Sequence, residues 1–319
     1  MKFQQNKEIR KCPLCKSSNI LYLFDGRDRL YDFPGIFWVS RCTSCGFQWS
    51  EPQLSDKQLS KYYPQASYYS YKDGTKRNFF AKLRTFIIQE YGRGTVLGSF
   101  LYFLFPIPGL PDIRKKGAIL DIGCGSGDTL SLLSDFGWTT WGIEPDKRAV
   151  RFARTRGITN VIVGSHKKIS NIRKELFDVV RLYSVLEHID NPLYALSLAY
   201  RVLKTEGEII IGIPNAKSVM ARLFGTYWYN LDVPRHRYHF TPKTIKKILA
   251  HSGFSDTRIS FHSAGGLLGS IGHVLKHRFG ISNTLITNTP LFLLFYPIEW
   301  LFDCLGAGDM MVITAKKDR

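Results

Sequence analysis

No uninterrupted apolar run in this 319-residue chain reaches the roughly 18 to 20 residues that a membrane-spanning helix needs. The basic start MKFQQNKEIR leads into neither an apolar core nor a small-residue cleavage site, so no secretory leader is expected and the compartment reads as cytoplasmic. Internal repeats and low-complexity tracts are also missing, which excludes a repeat architecture. Acids are scarce: 26 Asp and Glu face 44 Lys and Arg, giving +18, with +10 in residues 1–116 and +8 beyond. That imbalance points to an anionic partner, whether nucleic acid, acidic lipid or a phosphorylated substrate. What remains is ordinary globular material, 44% hydrophobic and 14% aromatic, with length for about two domains.

Cysteine is sparse but patterned. Of six, four form two C-x-x-C pairs, Cys12/Cys15 and Cys42/Cys45, separated by 26 residues. Two tight knuckles offering four thiolates match tetrahedral Zn²⁺ and suit a reducing compartment better than a disulfide framework. A redox dithiol is the other reading of such pairs. Two pairs, with Gly46 following the second, favour the ribbon.

Residues 51–116 turn helical and aromatic, with the tyrosine cluster KYYPQASYYSYKDG, then FFAKLRTFIIQEY and VLGSFLYFLFPIPGLP. From Gly117 strands and helices alternate, which predicts a parallel α/β sheet with helical crossovers. The expected strands are AILDIG, WTTWGIEP, NVIVG, FDVVRLYSV, GEIIIGIPN, RISFHS and MMVITAK. The helices are expected at about Gly127–Phe136, Asp146–Arg156, Asn191–Leu203 and Thr241–Ser252. Residues 216–240 and 265–308 break the alternation and read as insertions, where specificity is usually built.

The first of these strands ends in Asp121 and runs into Gly123, Cys124, Gly125 and Gly127. A dinucleotide fingerprint would need glycine at 128, where Asp128 stands. A carboxylate at the strand end repels a pyrophosphate but attracts a ligand with an ammonium and a sulfonium, which points to S-adenosylmethionine. Glu144, at the end of the next strand, can accept hydrogen bonds from both ribose hydroxyls.

On D-I-G-C-G-S-G, G-I-E-P-D, FDVVRLYSVLEHIDNP and LKTEGEIIIGIPN, residues 117–215 resemble a class I S-adenosylmethionine-dependent methyltransferase. The resemblance implies a Rossmann-like α/β sheet of seven strands, the last, MMVITAK, antiparallel. The pattern along the chain divides it into a zinc ribbon over 1–50, a helical cap or linker over 51–116 and a methyltransferase domain over 117–319. The resemblance also implies that Asp121, Gly123 and Gly125 contact the methionine half of the cofactor, Glu144 the ribose, and Tyr183–Ser184 the transferred-methyl side. Where the family often has an acid for the adenine amine, this chain has Gly164-Ser165-His166-Lys167.

Methyl transfer needs alignment and exclusion of water, and for a hydroxyl or acidic C–H a general base. His188, in L-E-H-I-D, and His236, in D-V-P-R-H-R-Y-H-F-T-P, are the candidates. Against a catalytic role, His188 can simply orient backbone, and His236 can sit in structure with Arg235 and Arg237 pairing acids around it. Ribbon plus methyltransferase resembles two groups: sugar C-methyltransferases with related polysaccharide and natural-product enzymes, and ribosomal RNA guanine methyltransferases. The tyrosine-rich segment and the insertion around His236 favour the first. Where sugar C-methyltransferases tend to carry Tyr-Asp-Glu-His, this chain has Val233-Pro234-Arg235-His236, sharing only the histidine. No N-P-P-Y tetrapeptide follows the fourth strand, which lowers base N-methylation.

The expectation is therefore methyl transfer to O or C of a saccharide-type or lipid-linked acceptor. An RNA methyltransferase and a non-catalytic scaffold with a vestigial cofactor site are the alternatives. The apolar blocks Val96–Leu110 and Leu285–Phe302 read either as buried cap helices or as interfacial segments. In the second reading, Lys76-Arg77 and Arg114-Lys115-Lys116 help them rest on anionic lipid at the inner face of the membrane.

Overall fold

The computed structural model describes residues 11–64, 79–105, 107–263, 265–281 and 289–318. The greater part of the tyrosine cluster, the Lys76-Arg77 pair and the start of the second apolar block lie outside the described residues. Two compact units share the chain: one gathers 1–63, 214–248 and 261–311, the other 64–213, 249–260 and 312–319. Both segments read as insertions in the sequence thus belong almost wholly to the unit that holds the four cysteines.

In that first unit, β1 (Ile20–Gly26), β2 (Phe37–Cys42) and β3 (Gln48–Glu51) form an antiparallel meander. The two-residue β9 (Tyr238–His239), from the His236 segment, adds a fourth antiparallel strand beside β3. Phe47 stacks on Tyr238 at 5.4 Å and meets Phe240 edge-on at 5.6 Å. A ribbon too small to bury its own aromatics thus gains a core from distant chain. Phe37, Val39, Trp228, Leu231, Val233 and Leu267 form a core cluster of the same unit, to which α9 (Gly266–Phe279) contributes.

The second unit is built on the seven-stranded sheet. Its strands are β4 (Ala118–Ile122), β5 (Thr139–Glu144), β6 (Val161–Val163), β7 (Phe177–Tyr183), β8 (Leu203–Pro214), β10 (Phe254–Phe261) and β11 (Met310–Lys317). Their order is β10-β11-β8-β7-β4-β5-β6, with β6, β5, β4, β7 and β8 parallel. Lys317 Nζ reaches Leu203 O at 2.8 Å while Asn215 N–H donates to Asp309 O at 2.9 Å, so β11 runs antiparallel to β8. Ser260 to Val312 and Ser255 to Asp318 give β11 the same relation to β10. All seven expected strands are present and the expected reversal falls on MMVITAK. The crossovers are α4 (Asp128–Asp135), α5 (Lys147–Thr155) and α6 (Pro192–Val202), and α8 (Pro242–His251) precedes β10. Asp146 and Asn191 cap α5 and α6 through their side chains.

Within the cap segment, α2 (Phe79–Gly92) and α3 (Val96–Leu104) pack against each other so closely that a Cβ on Gly98 would lie 2.2 Å from the Glu90 backbone. Ile87 and Ile88 of α2 join the core formed by Ile119, Leu130, Leu133 and Val150. On the opposite side of α3, Val96, Phe100 and Phe103, at i, i+4 and i+7, are 88%, 58% and 81% exposed. In the first unit α10 (Thr289–Cys304) likewise leaves Leu294, Trp300 and Leu301 exposed. Among the described residues no helix is long and apolar enough to cross a membrane.

Candidate active site and cysteine cluster

The turn after β4 needs glycine for reasons its backbone makes explicit. Gly123, Gly125 and Gly127 all have positive φ, at 73°, 54° and 76°. A Cβ on Gly123 would also stand 2.4 Å from Val185 Cγ2, so any larger residue meets both strain and a clash. Cys124, between the glycines, packs its Sγ under β5, 2.6 Å from where a Cβ on Gly142 would be. Burial, with Asp121 and Glu144 nearby, pushes its thiol up and keeps it protonated.

Glu144 ends β5 and is buried. Its Oε2 accepts from Gly125 N–H and its Oε1 from Asp146 N–H, each at 2.9 Å, which clips the glycine loop to the sheet. Burial raises the carboxyl and the two amides pull it back. Each oxygen retains acceptor capacity, the donor set a ribose diol asks for, and the glycine turn beside it lets backbone approach a ligand. On both counts these residues fit S-adenosylmethionine, which when bound supplies an electrophilic methyl on a sulfonium.

Asp121 is differently placed. It is 1% exposed, and both of its oxygens accept from Arg181 Nη1 at 2.9 Å, while Arg181 Nε donates to Gly109 O at 2.7 Å. Burial raises the Asp121 carboxyl and Arg181 lowers it again. Its charge is thus answered inside the protein, and Glu144 is the acid beside the loop without a cationic partner at hydrogen-bond distance among the described residues. Arg181 escaped the sequence reading, although an arginine inside the apolar strand FDVVRLYSV is a signal: a charge there must be buried with a partner. Glu144→Ala is expected to weaken S-adenosylmethionine binding roughly 10- to 100-fold, the worth of hydrogen bonds to a charged group, measured by calorimetry. Asp121→Ala is expected to lower the melting temperature, because Arg181 loses its buried partner.

At the end of β7 the Tyr183 ring is wedged between Gly109 and Gly212, where added Cβ atoms would come within 2.3 and 2.4 Å, and lies 4.7 Å from the Arg181 guanidinium. The next residue, Ser184, has φ 55°, the left-handed region that a non-glycine residue rarely adopts, with its N–H held by Gly212 O at 2.8 Å. That strain, at the residue expected to face the transferred methyl, has no sequence signature. After β6, where the chain lacks the family's acid, the nearby carboxylate comes from downstream: Asp190 accepts from Lys167 Nζ at 2.9 Å and lies 3.8 Å from His166 Nε2.

The two candidate bases differ in setting. His188 is half-buried in the turn after β7, its N–H donating to Val185 O at 3.0 Å. His236 is buried in the first unit, its Nδ1 at 2.8 Å from Asn230 O and its Nε2 at 3.8 Å from Asp232. A carbonyl only accepts, so Nδ1 carries the proton and Nε2 is left basic. Burial lowers its pKa, against the pull of Asp232. Arg235 pairs with Asp28 and Asp232, and Arg237 with Asp56, as the acid-pairing reading of this segment expects.

His239, next on the same stretch, is fully enclosed, hydrogen-bonded to Ser50 Oγ at 2.9 Å, and burial lowers its pKa to about 3. The fold holds the neutral ring, so its stability is complete above pH 6.5 and is lost as the pH falls from there toward 3. At pH 5 the expected loss is about 2 kcal/mol, and His239→Gln should flatten the dependence in urea titrations run from pH 7 to 4.5.

Cys12, Cys15, Cys42 and Cys45 converge so that their sulfurs all lie within 4.8 Å of one another. The Cys12–Cys45 and Cys15–Cys42 distances are 3.6 and 3.5 Å. A tetrahedron with metal–sulfur bonds of about 2.3 Å has edges of about 3.8 Å, so the four thiols fit Zn²⁺ closely. The two knuckles share one geometry: Lys16 N–H donates to Cys12 O and Gly46 N–H to Cys42 O, with both donors at positive φ. Gly46 was the visible signal; Lys16 takes the same conformation without one.

Comparison with known proteins bears on this arrangement. A protein-family model described as "Methyltransferase domain" matches residues 90–259, more than half of the chain. The ubiquinone biosynthesis O-methyltransferase of Pseudomonas entomophila is 22% identical over 178 residues, 53% of this chain and 75% of that protein. An uncharacterized protein of Methanocaldococcus jannaschii is 27% identical over 143 residues, 45% of this chain and 67% of its own. A crystal structure of a possible histamine N-methyltransferase from Thermotoga maritima shares 21% identity with a TM-score of 0.46, covering 74% of this chain and 99% of that one. With its glycine turn, Glu144 clip and reversed seventh strand, the chain belongs to the methyltransferase-domain family and is an S-adenosylmethionine-dependent methyltransferase.

Proposed function

We propose that the enzyme methylates an oxygen or carbon of a saccharide-type or lipid-linked small molecule, resting peripherally on anionic membrane as it does so. The observation that carries this reading is the outer side of α3. Val96, Phe100 and Phe103 line one face in water, and Arg114, Lys115 and Lys116 are exposed further along the same unit. An apolar stripe with basic residues near it suits the boundary of an anionic bilayer. The name of the curated relatives, ubiquinone biosynthesis O-methyltransferase, supports an acceptor on the way to a quinone. His236 or His188 would take the proton of an acceptor hydroxyl or acidic C–H as the methyl is transferred.

The test is incubation of the protein with methyl-labelled S-adenosylmethionine and extract from its source cells, with products split into organic, aqueous and RNA fractions. Label in organic-soluble or saccharide material supports the reading; label confined to RNA overturns it. Sedimentation with vesicles containing phosphatidylglycerol tests the membrane part, which fails if the protein stays wholly in the supernatant.

We further infer that the four cysteines hold one structural Zn²⁺, supported by the sulfur spacing and the paired knuckles. The purified protein is expected to carry one zinc per chain by elemental analysis, and Cys12→Ser/Cys45→Ser none. A metal-free wild-type protein with an unchanged melting temperature would refute it.

A further inference from the structure

Inside the first unit, away from the cysteines, Arg27, Arg29, Thr226, Trp228, Asp232 and His273 line a shallow cleft open to solvent. Two of its features are otherwise unexplained.

His273 on α9 is 3% exposed, yet among the described residues neither ring nitrogen has a hydrogen bond of good geometry, a weak contact with the Tyr227 backbone aside. Buried polar atoms are rarely left so. The ring is held in place rather than loose, tilted against Tyr229 at 5.4 Å and edge-on to His277 at 6.1 Å.

Arg29 is fixed in advance. Its Nε donates to Thr226 O at 2.8 Å, its Nη2 to Thr226 Oγ1 at 3.2 Å, and its guanidinium lies 4.0 Å over the Tyr227 ring. None of these partners neutralises it, and it feels the like charge of Arg27 as well as the opposite charge of Asp32. Asp32 itself is paired with Lys276.

The carboxylate in the lining is already engaged: both oxygens of Asp232 accept from Arg235 Nε at 3.0 Å. Among the described residues the cleft therefore presents two guanidinium groups and a buried imidazole with no carboxylate at hydrogen-bond distance from any of them.

We propose that this cleft binds a phosphate-type oxyanion, a phosphate monoester or a diphosphate, through Arg27, Arg29 and His273. A guanidinium locked by its own backbone contacts loses little freedom on binding, and its remaining N–H groups match phosphate oxygens. A neutral imidazole can give one N–H to a third oxygen, for which a planar carboxylate has no equivalent. The site does not depend on which acceptor is methylated, so its test is binding rather than turnover. The phosphate can belong to a free metabolite or to a lipid head group, and the experiment has an arm for each.

Calorimetry with inorganic pyrophosphate and inorganic phosphate on the full-length protein is expected to show one saturable site per chain. Arg27→Ala, at an exposed residue, and Arg29→Gln should each weaken it about tenfold, and the pair should abolish it. Arg258→Ala, which removes an equal charge from an exposed position paired with Asp256, should leave it within twofold. On addition of pyrophosphate the His273 ring nitrogens, followed by NMR, should shift in wild type but not in the Arg27→Ala/Arg29→Gln protein. Sedimentation with phosphatidylcholine vesicles carrying phosphatidic acid then separates the sources. Binding lost in the double variant assigns the head group; pyrophosphate binding without vesicle binding assigns a free phosphate compound. No saturable binding to either probe, or equal weakening by Arg258→Ala, overturns the proposal.

Discussion

Arg235→Ala is expected to cost about 3 to 5 kcal/mol of unfolding free energy, the range for removing one partner from a buried ion pair. The side chain is wholly buried. Nη1 and Nη2 meet the two oxygens of Asp28 at 2.8 and 2.7 Å, Nε reaches Asp232 at 3.0 Å, and Nη1 also donates to Tyr62 O at 2.8 Å. Its pKa rises despite burial, since both acids stabilise the cation. Without it, the Asp28 and Asp232 carboxylates stay out of water and lose the cation that bridges them. Replacing the whole triad by Arg235→Met/Asp28→Asn/Asp232→Asn should recover most of the loss, because no charge is then left buried. Urea unfolding of the single and triple variants decides the matter, and a single-variant cost below 1 kcal/mol would show that the triad is not what holds this unit.

The second large effect concerns the base. His236→Ala is expected to leave S-adenosylmethionine affinity within about threefold while turnover falls roughly 10²- to 10⁴-fold, the usual share of a general base. Binding and turnover are expected to separate because the proposed cofactor residues Glu144, Gly123 and Gly125 and the proposed base lie on different parts of the chain. His236→Gln should restore the melting temperature but not the rate, since an amide can fill the space without taking a proton. His188→Ala is the paired measurement: the histidine whose loss gives the split between affinity and rate is the base. If neither variant slows turnover by tenfold, the acceptor proton is removed elsewhere or the acceptor needs no base.

The sheet was legible because its strands announce themselves locally. An apolar run closed by glycine or proline reads the same in any tertiary setting, and AILDIG and WTTWGIEP became β4 and β5 to within two residues. Boundaries slipped where pairing rather than pattern sets them: RISFHS begins at Phe254 in the structure, and β8 starts at Leu203 through an irregular register opposite Phe177. The four cysteines were legible for a similar reason, since two knuckles are each complete within five residues.

The residues that composition and spacing could not reveal are those whose role depends on a distant partner. By itself the sequence determined the glycine turn, the acid that closes the next strand and the metal-type spacing, because each is written in a short local motif, while the reversed last strand was implied only by the family resemblance. Only the tertiary structure decided that Asp121 spends its charge on Arg181, that Arg235 joins Asp28 across 207 residues, and that His273 lies buried beside two arginines. A buried charge or an unsatisfied ring is defined by what surrounds it in space, and a linear pattern of side chains carries no record of that distance.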